Sequence, residues 1–283
     1  QSFLNSMENK RENFALISPC LASVIEKLSS NERFVNEQRF FLLVHDALSH
    51  VIHSCSDQSK SDENAYQILT SLSISFLNML KYNYEIINIV HISSILRITF
   101  FNQSDIYQLF KETVFNSKYP LILINLIRGS FKSFEKLPSN MLRIILPYSI
   151  KALNANDNQN PTNLFPFIWS QLLNYLNFDF KKNSAVLKSI NYLLDKKLPN
   201  REQLLMILKS IPNFLLSSDT QTIIYTLKLC IKLIEKKFLP KEIFESIIQQ
   251  LFSYSKFFEI PYFSYFLKLI KMKPEFVDES KSD

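Results

Sequence analysis

Apolar side chains recur every three or four positions through most of the chain, and short polar or proline-containing segments separate these stretches. The clearest case is 219–237, where these residues fall on one side of a helix: Ile223, Ile224, Leu227, Cys230, Ile231 and Ile234. That spacing is typical of an amphipathic α-helix whose apolar side packs against its neighbours. Repeated along the chain, it predicts an all-α fold of about 12–13 helices.

Two similar junctions separate consecutive predicted helices in the second half of the chain. Residues 195–199 read Asp-Lys-Lys-Leu-Pro, and residues 235–240 read Glu-Lys-Lys-Phe-Leu-Pro. Lysines in a last turn favour the negative end of the helix dipole, and proline stops one helix and starts the next. Such short reversals make neighbouring helices antiparallel. Pro199 and Pro240 are 41 positions apart, which is the length of a two-helix solenoid repeat.

Polar segments suggest how the chain divides. We predict N-terminal helical hairpins over 1–154, C-terminal hairpins over 161–274 and a polar tail over 275–283. The asparagine-rich segment between the two sets of hairpins is typical of a loop. Pro138 and Pro199 are separated by three predicted helices, an odd number, so we expect a break in the array near this segment.

Glycine is nearly absent from the chain, which contains a single one, Gly129. Tight β-hairpins and bulges depend on glycine for positive φ, so a β-rich fold is disfavoured. Phosphate loops, dinucleotide fingerprints and nucleophile elbows are excluded because their glycines are missing. A hydrophobic content of 47% is still ample for a packed core.

The cysteines and the apolar runs bear on the compartment. Cys20, Cys55 and Cys230 are widely separated and form no C-x-x-C pair, which fits a reducing environment. No apolar run reaches the roughly 18 residues of a membrane span. We therefore expect an intracellular protein, cytoplasmic or nuclear, without a membrane span. Because residue 1 is Gln, we also expect the natural start of the protein to be missing.

One stretch resembles a metal-binding pattern. Asp46, His50 and His53 are spaced i, i+4 and i+7, which places them on one side of a helix and suits zinc ligands. The simpler interpretation is the polar side of an amphipathic helix, since no second ligand cluster exists in the sequence. We predict no metal, no cofactor and no catalytic site.

Positive charge is concentrated late in the chain. Residues 1–180 contain 15 basic and 15 acidic side chains, so the net charge of +6 lies entirely in 181–283. Stacked repeats could align several of these lysines into a basic partner-binding strip. The strip would face an acidic protein surface or a phosphate backbone, although solvated lysines alone also explain the pattern. Its candidate members are Lys188, Lys196, Lys197, Lys228, Lys232 and Lys236.

A resemblance to a repeat superfamily is clearest at 211–219, which reads Ile-Pro-Asn-Phe-Leu-Leu-Ser-Ser-Asp and precedes the apolar helix described above. HEAT repeats have a similar first helix with an internal proline, an Asp in the turn and an apolar second helix. Pro147 and Pro166 echo the internal proline. The chain thus resembles HEAT/armadillo-type α-solenoids, which implies a right-handed stack of antiparallel helical hairpins.

That resemblance implies a function based on binding. Solenoids present long surfaces to other proteins, so we expect a non-catalytic scaffold or adaptor within a larger assembly. Two alternatives remain open. One is a segment similar to the HEAT hairpins of nuclear-transport receptors, and the other is a basic solenoid that binds RNA or another polyanion. The sequence leaves the oligomeric state and the identity of the partner open.

Overall fold

A computed structural model of the chain describes residues 19–31, 63–80, 105–116, 120–155, 164–176, 182–254 and 261–272, with isolated positions between 33 and 48 and at 92, 93, 257 and 259. Within these residues every regular element is a helix, which confirms the predicted all-α class. Eleven helices are defined there: α1 (Pro19–Ser29), α2 (Glu63–Leu80), α3 (Asp105–Val114), α4 (Pro120–Lys132), α5 (Ser139–Ala155), α6 (Leu164–Tyr175), α7 (Asn183–Leu193), α8 (Arg201–Leu215), α9 (Thr220–Glu235), α10 (Lys241–Ser253) and α11 (Phe263–Lys271).

The helices group into two compact units, Gln1–Leu137 and Pro138–Asp283. In the first unit α1 packs against α2, and α2 packs against α3. Apolar side chains such as Phe76 on α2 are fully buried there. The units divide at Pro138, before the asparagine-rich segment at which the sequence analysis divides the chain. None of the helices among the described residues is both long and apolar enough to cross a bilayer.

In the second unit the helices alternate between two rows. The first row contains α5, α7, α9 and α11, each packed against the next, and the second row contains α6, α8 and α10. The rows are joined where α6 packs on α7 and α8 on α9. The break expected near 154–161 does not disturb this alternation. An odd number of helices between Pro138 and Pro199 simply puts the helices that follow them in opposite rows.

Helix α7 lies between two neighbours of the first row and is buried on nearly all sides. Five apolar residues at helical spacing are all buried here: Val186, Leu187, Ile190, Leu193 and Leu194. Small polar residues on the same helix are buried as well, and the Ser189 hydroxyl donates to the Ala185 carbonyl at 2.8 Å. A hydroxyl satisfied within its own helix can be buried at little cost while allowing close packing.

The start of α8 differs from the sequence prediction, which opened this helix at Pro199. The Asn200 side chain accepts from the Gln203 amide at 2.8 Å, and the Gln203 side chain accepts from the Asn200 amide at 2.9 Å. This reciprocal capping box satisfies two amides that the proline alone leaves unpaired. The N-cap of α9 is Asp219, whose carboxylate accepts from the amides of Gln221 and Thr222.

The two similar junctions fold differently. After α9, the Phe238 amide donates to the Leu233 carbonyl at 2.8 Å and the Lys237 amide donates to the Ile234 carbonyl at 2.9 Å. This is a Schellman motif, and it places Lys237 in the left-handed region with φ of 60°. Lys237 is the sole non-glycine residue with positive φ in the described ranges. The extra Phe238 of this junction supplies the amide that closes the motif.

Replacing Lys237 with glycine should stabilise the second unit. A left-handed residue with a Cβ is strained, so Lys237→Gly should raise the free energy of unfolding by about 0.5–1 kcal/mol. Urea denaturation measures the difference. The matched control is Lys196→Gly at the other junction, where φ is not positive. There the glycine should be neutral or destabilising, and equal effects at both positions would contradict the strain argument.

Candidate binding face

A four-residue pattern recurs on three helices of the first row. Residues 148–151, 225–228 and 265–268 each read Tyr, any residue, Ile or Leu, then Lys, and α7 has the related pair Lys188 and Tyr192. Residues three or four apart lie on the same side of a helix, so the row places these side chains next to one another. We call this surface the Lys–Tyr face: Arg143, Tyr148, Lys151, Lys188, Tyr192, Tyr225, Lys228 and Tyr265.

Lys188 lies at the centre of the Lys–Tyr face and joins three helices. Its Nζ lies 4.4 Å from the centre of the Tyr148 ring on α5 and 5.8 Å from the centre of the Tyr225 ring on α9. The same Nζ donates to the Arg143 carbonyl at 3.3 Å. Cation–π attraction operates at these distances and is strongest for the shorter one. Lys188 therefore occupies a fixed position between the neighbouring helices.

The other lysines of the face make equivalent contacts. The Lys151 Nζ lies 5.3 Å from the Tyr192 ring centre on the next helix of the row. The Lys228 Nζ lies 5.3 Å from both the Tyr225 ring on its own helix and the Tyr265 ring on α11. An ammonium group thus already lies over each of the four tyrosine rings.

Electrostatics distinguish this cluster from ordinary surface lysines. Burial lowers the pKa of Lys188 from 10.5 to about 8, with smaller contributions from the positive charges of Arg143, Lys228 and Lys151. Among the described residues, no carboxylate lies within 4 Å of any of these four cations. Like charges gathered without a counter-charge raise the energy of the face, and such perturbed clusters often mark functional sites.

Two tyrosines of the face, Tyr192 and Tyr225, remain neutral phenols at physiological pH. Burial raises the pKa of Tyr192 to about 12, with further contributions from Tyr148, Tyr225 and Asp195. Burial also raises the pKa of Tyr225. The rings therefore provide polarisable surface and hydroxyl groups but no negative charge to offset the lysines.

Buried asparagines fix the register between successive helices of the first row. Asn154 on α5 donates through Nδ2 to the Tyr192 carbonyl on α7 at 2.9 Å. Asn191 on α7 donates through Nδ2 to the Tyr225 carbonyl on α9 at 3.0 Å and to the Leu187 carbonyl at 2.8 Å. These bonds are directional, so they set the axial positions of the tyrosines and lysines more tightly than apolar packing would.

The structure divides the six lysines of the predicted basic strip. Lys188 and Lys228 lie together on the Lys–Tyr face. Lys232 is on the same helix as Lys228, but it pairs with the Asp195 carboxylate and donates to the Asn191 carbonyl. Its charge is therefore compensated within the chain.

The remaining three lysines of the strip are outside the Lys–Tyr face. The Lys197 Nζ lies 4.9 Å from the centre of the Phe165 ring on α6, which belongs to the second row. Lys196 is exposed in the turn after α7, and Lys236 is the C-cap of α9. Binding of a partner by these three lysines remains a prediction.

Sequence reasoning missed Arg143, Lys151 and the four tyrosines. Arg143 and Lys151 lie within residues 1–180, which are neutral overall, so the charge count did not indicate them. The tyrosines occur at the spacing of core residues along their helices, so spacing alone does not separate them from the core. The recurring Tyr-to-Lys tetrapeptide was the signal that could have identified the face, because it repeats on alternate helices.

The possible metal ligands of the sequence lie mostly outside the described residues. Asp46 is described, but His50 and His53 are not. Among the described residues there is no group of three His, Cys, Asp or Glu side chains close enough to hold a metal ion. Cys230 is a free thiol whose pKa is raised to about 12 by complete burial, so it is unsuited to nucleophilic chemistry.

Three comparisons with known proteins found nothing similar to this chain. Searches against protein families, curated protein sequences and solved structures found no match. The resemblance to HEAT/armadillo-type solenoids therefore stays a prediction from the residues quoted for it.

Proposed function

We propose that this chain is a non-catalytic α-solenoid of the HEAT/armadillo type that acts as a scaffold or adaptor for protein partners in a larger assembly. The observation that carries the proposal is the alternation of helices in the second unit. Each helix of the first row packs against the next-but-one helix of the chain, and the second row repeats the arrangement. Stacking of this kind produces an extended surface rather than a closed cleft.

Exposed apolar side chains support a role in binding proteins. On the second row, Leu205 and Met206 of α8 are about half exposed, at 46% and 48%. Phe252 of α10 is 56% exposed. Apolar groups on adjacent helices are typical of surfaces that meet other proteins. The free thiols of Cys20 and Cys230 fit a reducing compartment, and we propose the cytoplasm or the nucleus.

The alternatives receive unequal support. A segment like those of nuclear-transport receptors would gain from an acidic inner surface, whereas the Lys–Tyr face carries four cations without a described counter-charge. The same cations favour a polyanion ligand as the second candidate function. Binding of RNA or another phosphate polymer should then weaken steeply with added salt.

Cross-linking tests the adaptor function directly. The tagged protein is incubated with an extract of its source cells, cross-linked and analysed by mass spectrometry. We expect a protein partner whose cross-links fall on several successive helices of one row, because a stacked surface contacts its partner at many points.

The control bait for this capture carries Ile190→Asp. Ile190 is fully buried in α7, so a charge there disrupts the packed rows and leaves the exposed residues unchanged. A partner captured equally by both baits would reflect non-specific binding to the chain. Failure to recover any protein above this control would overturn the proposed function.

A further inference from the structure

We propose that the Lys–Tyr face binds an extended, Asp- or Glu-rich segment of a partner protein, whose carboxylates lie over Lys151, Lys188 and Lys228. This inference rests on the proposed function, because it names the chemistry by which a protein partner would be recognised. It goes beyond that function in assigning the site and the sequence character of the bound segment.

The charge of the face calls for an anionic ligand. Lys188 is partly buried between Tyr148 and Tyr225, and three further cations surround it. Holding these charges together is unfavourable until an anion binds, so a carboxylate gains both its own attraction and relief of the repulsion. Charge complementarity of this kind favours an acidic segment over a neutral or basic one.

The repeat of the face matches an extended peptide. Helices packed side by side are about 8–10 Å apart, and a polyproline II chain advances about 3.1 Å per residue with three residues per turn. Each step from one helix to the next along the first row therefore spans about three residues of ligand. Because every third side chain lies on the same side of a polyproline II chain, an acidic residue at every third position would meet Lys151, Lys188 and Lys228 in turn.

The same face is poorly suited to nucleic acid. Proteins that bind single strands stack bases on aromatic rings, but an ammonium group lies over each tyrosine ring here. Asp195 and Glu235, near the ends of α7 and α9, pair with Lys232 and Lys268, and both carboxylates are about half exposed. A strand with a phosphate on every nucleotide would meet their repulsion more often than a peptide with a carboxylate on every third residue.

Fluorescence anisotropy with defined peptides tests the proposal on the full chain. The probe is a fluorescein-labelled peptide of about twelve residues with Asp at every third position among Ala and Ser, long enough for about four helices. At low ionic strength it should bind at least about tenfold more tightly than the same peptide with Asn at those positions. A peptide with the same Asp residues clustered at one end should bind less tightly than the spaced one.

Charge-matched variants locate the site. Lys188→Gln with Lys228→Gln should weaken binding at least about tenfold, and Lys151→Gln, at an exposed position, should weaken it severalfold. The control pair Lys209→Gln with Lys241→Gln removes the same charge from exposed lysines of the second row, and it should leave affinity within about twofold. Circular dichroism confirms that each variant is folded.

Three results of the binding assays would overturn the proposal: no binding of the spaced peptide, equal losses in the two double variants, or tighter binding of an oligothymidylate than of the peptide. The last would identify a nucleic-acid face. The outcome is separable from that of the proposed function. A partner captured equally by wild type and Lys188→Gln with Lys228→Gln refutes only this inference, whereas peptide binding without any captured protein refutes only the adaptor role.

Discussion

Truncating Leu269 to alanine should cost about 2–5 kcal/mol of stability, but only near the end of the first row. Leu269 is fully buried in α11, and a cavity at such a site is rarely filled by relaxation. The main neighbour of α11 in its row is α9. In a stacked array each helix depends on its neighbours, so the loss should remain local. Hydrogen exchange should become faster in α11 while α5 and α7 keep their protection.

The matched variant is Ile190→Ala, which makes a similar cavity in the middle of the row. Ile190 is fully buried in α7, between α5 and α9. Its loss should speed exchange in α5, α7 and α9 together, since all three share that packing. If Leu269→Ala instead reduced protection uniformly through 138–272, the unit would unfold as one globular domain and the solenoid proposal would fail.

Replacing Lys188 with methionine should stabilise the protein at pH 7 by about 1–2 kcal/mol, a value reduced for the partial exposure of the side chain. Methionine keeps an unbranched side chain near Tyr148 but removes the charge that Arg143, Lys151 and Lys228 repel. Cation–π attraction to Tyr148 and the hydrogen bond to the Arg143 carbonyl favour the charged form of Lys188. The pKa is nevertheless lowered, so burial and repulsion outweigh them.

The contribution of Lys188 to folding stability should depend on pH. The Lys188 pKa is about 8 in the folded protein, compared with 10.5 for an ordinary lysine. Between these values the unfolded chain binds more protons, so the stability contributed by this group rises with pH, and below pH 8 its full cost is present. Above about pH 10 the raised pKa of Tyr192 acts in the opposite direction, because the folded state then holds the extra proton.

Urea denaturation between pH 7 and 9.5 isolates the contribution of Lys188. Wild type should gain stability across this range relative to Lys188→Met, so the difference between the two proteins should shrink as pH rises. Lys209→Met, at an exposed lysine of α8, should show neither the gain at pH 7 nor the altered pH dependence. A constant difference between wild type and Lys188→Met would show that packing, not charge, causes the effect.

Together with the proposed binding role, these predictions mean that Lys188 lowers the stability of the protein and strengthens its binding of the partner. Lys188→Met, which removes the unfavourable buried charge, should also weaken binding of the acidic peptide. Functional sites commonly retain such unfavourable groups because their ligands compensate them.

Helix positions in the second unit were largely predictable because they depend on local chemistry. The apolar spacing located α9, and Asp219, the Asp of the HEAT-like turn, lies at its start. The start of α8 was misplaced by two residues because Pro199 was given more weight than the capping pair of Asn200 and Gln203. Both are valid start signals, and the side-chain cap decided the boundary.

The Lys–Tyr face was less predictable because it depends on which helices become neighbours. Lys188 meets Tyr148 and Tyr225 only after α5, α7 and α9 have formed a row. Charge counted along the sequence could not separate Lys228 from Lys232, which lie one turn apart on α9. Their difference arises from Asp195 at the end of another helix, which neutralises only the second.

The asparagine bonds between the helices of the first row have a mechanical consequence. Helices joined only by apolar contacts can slide past one another, because dispersion forces have little directional preference. The bonds from Asn154 to the Tyr192 carbonyl and from Asn191 to the Tyr225 carbonyl would break after a slip of about 1 Å. When a force shears the row, these bonds should therefore resist sliding of the helices. The lysines should then keep their spacing along the row.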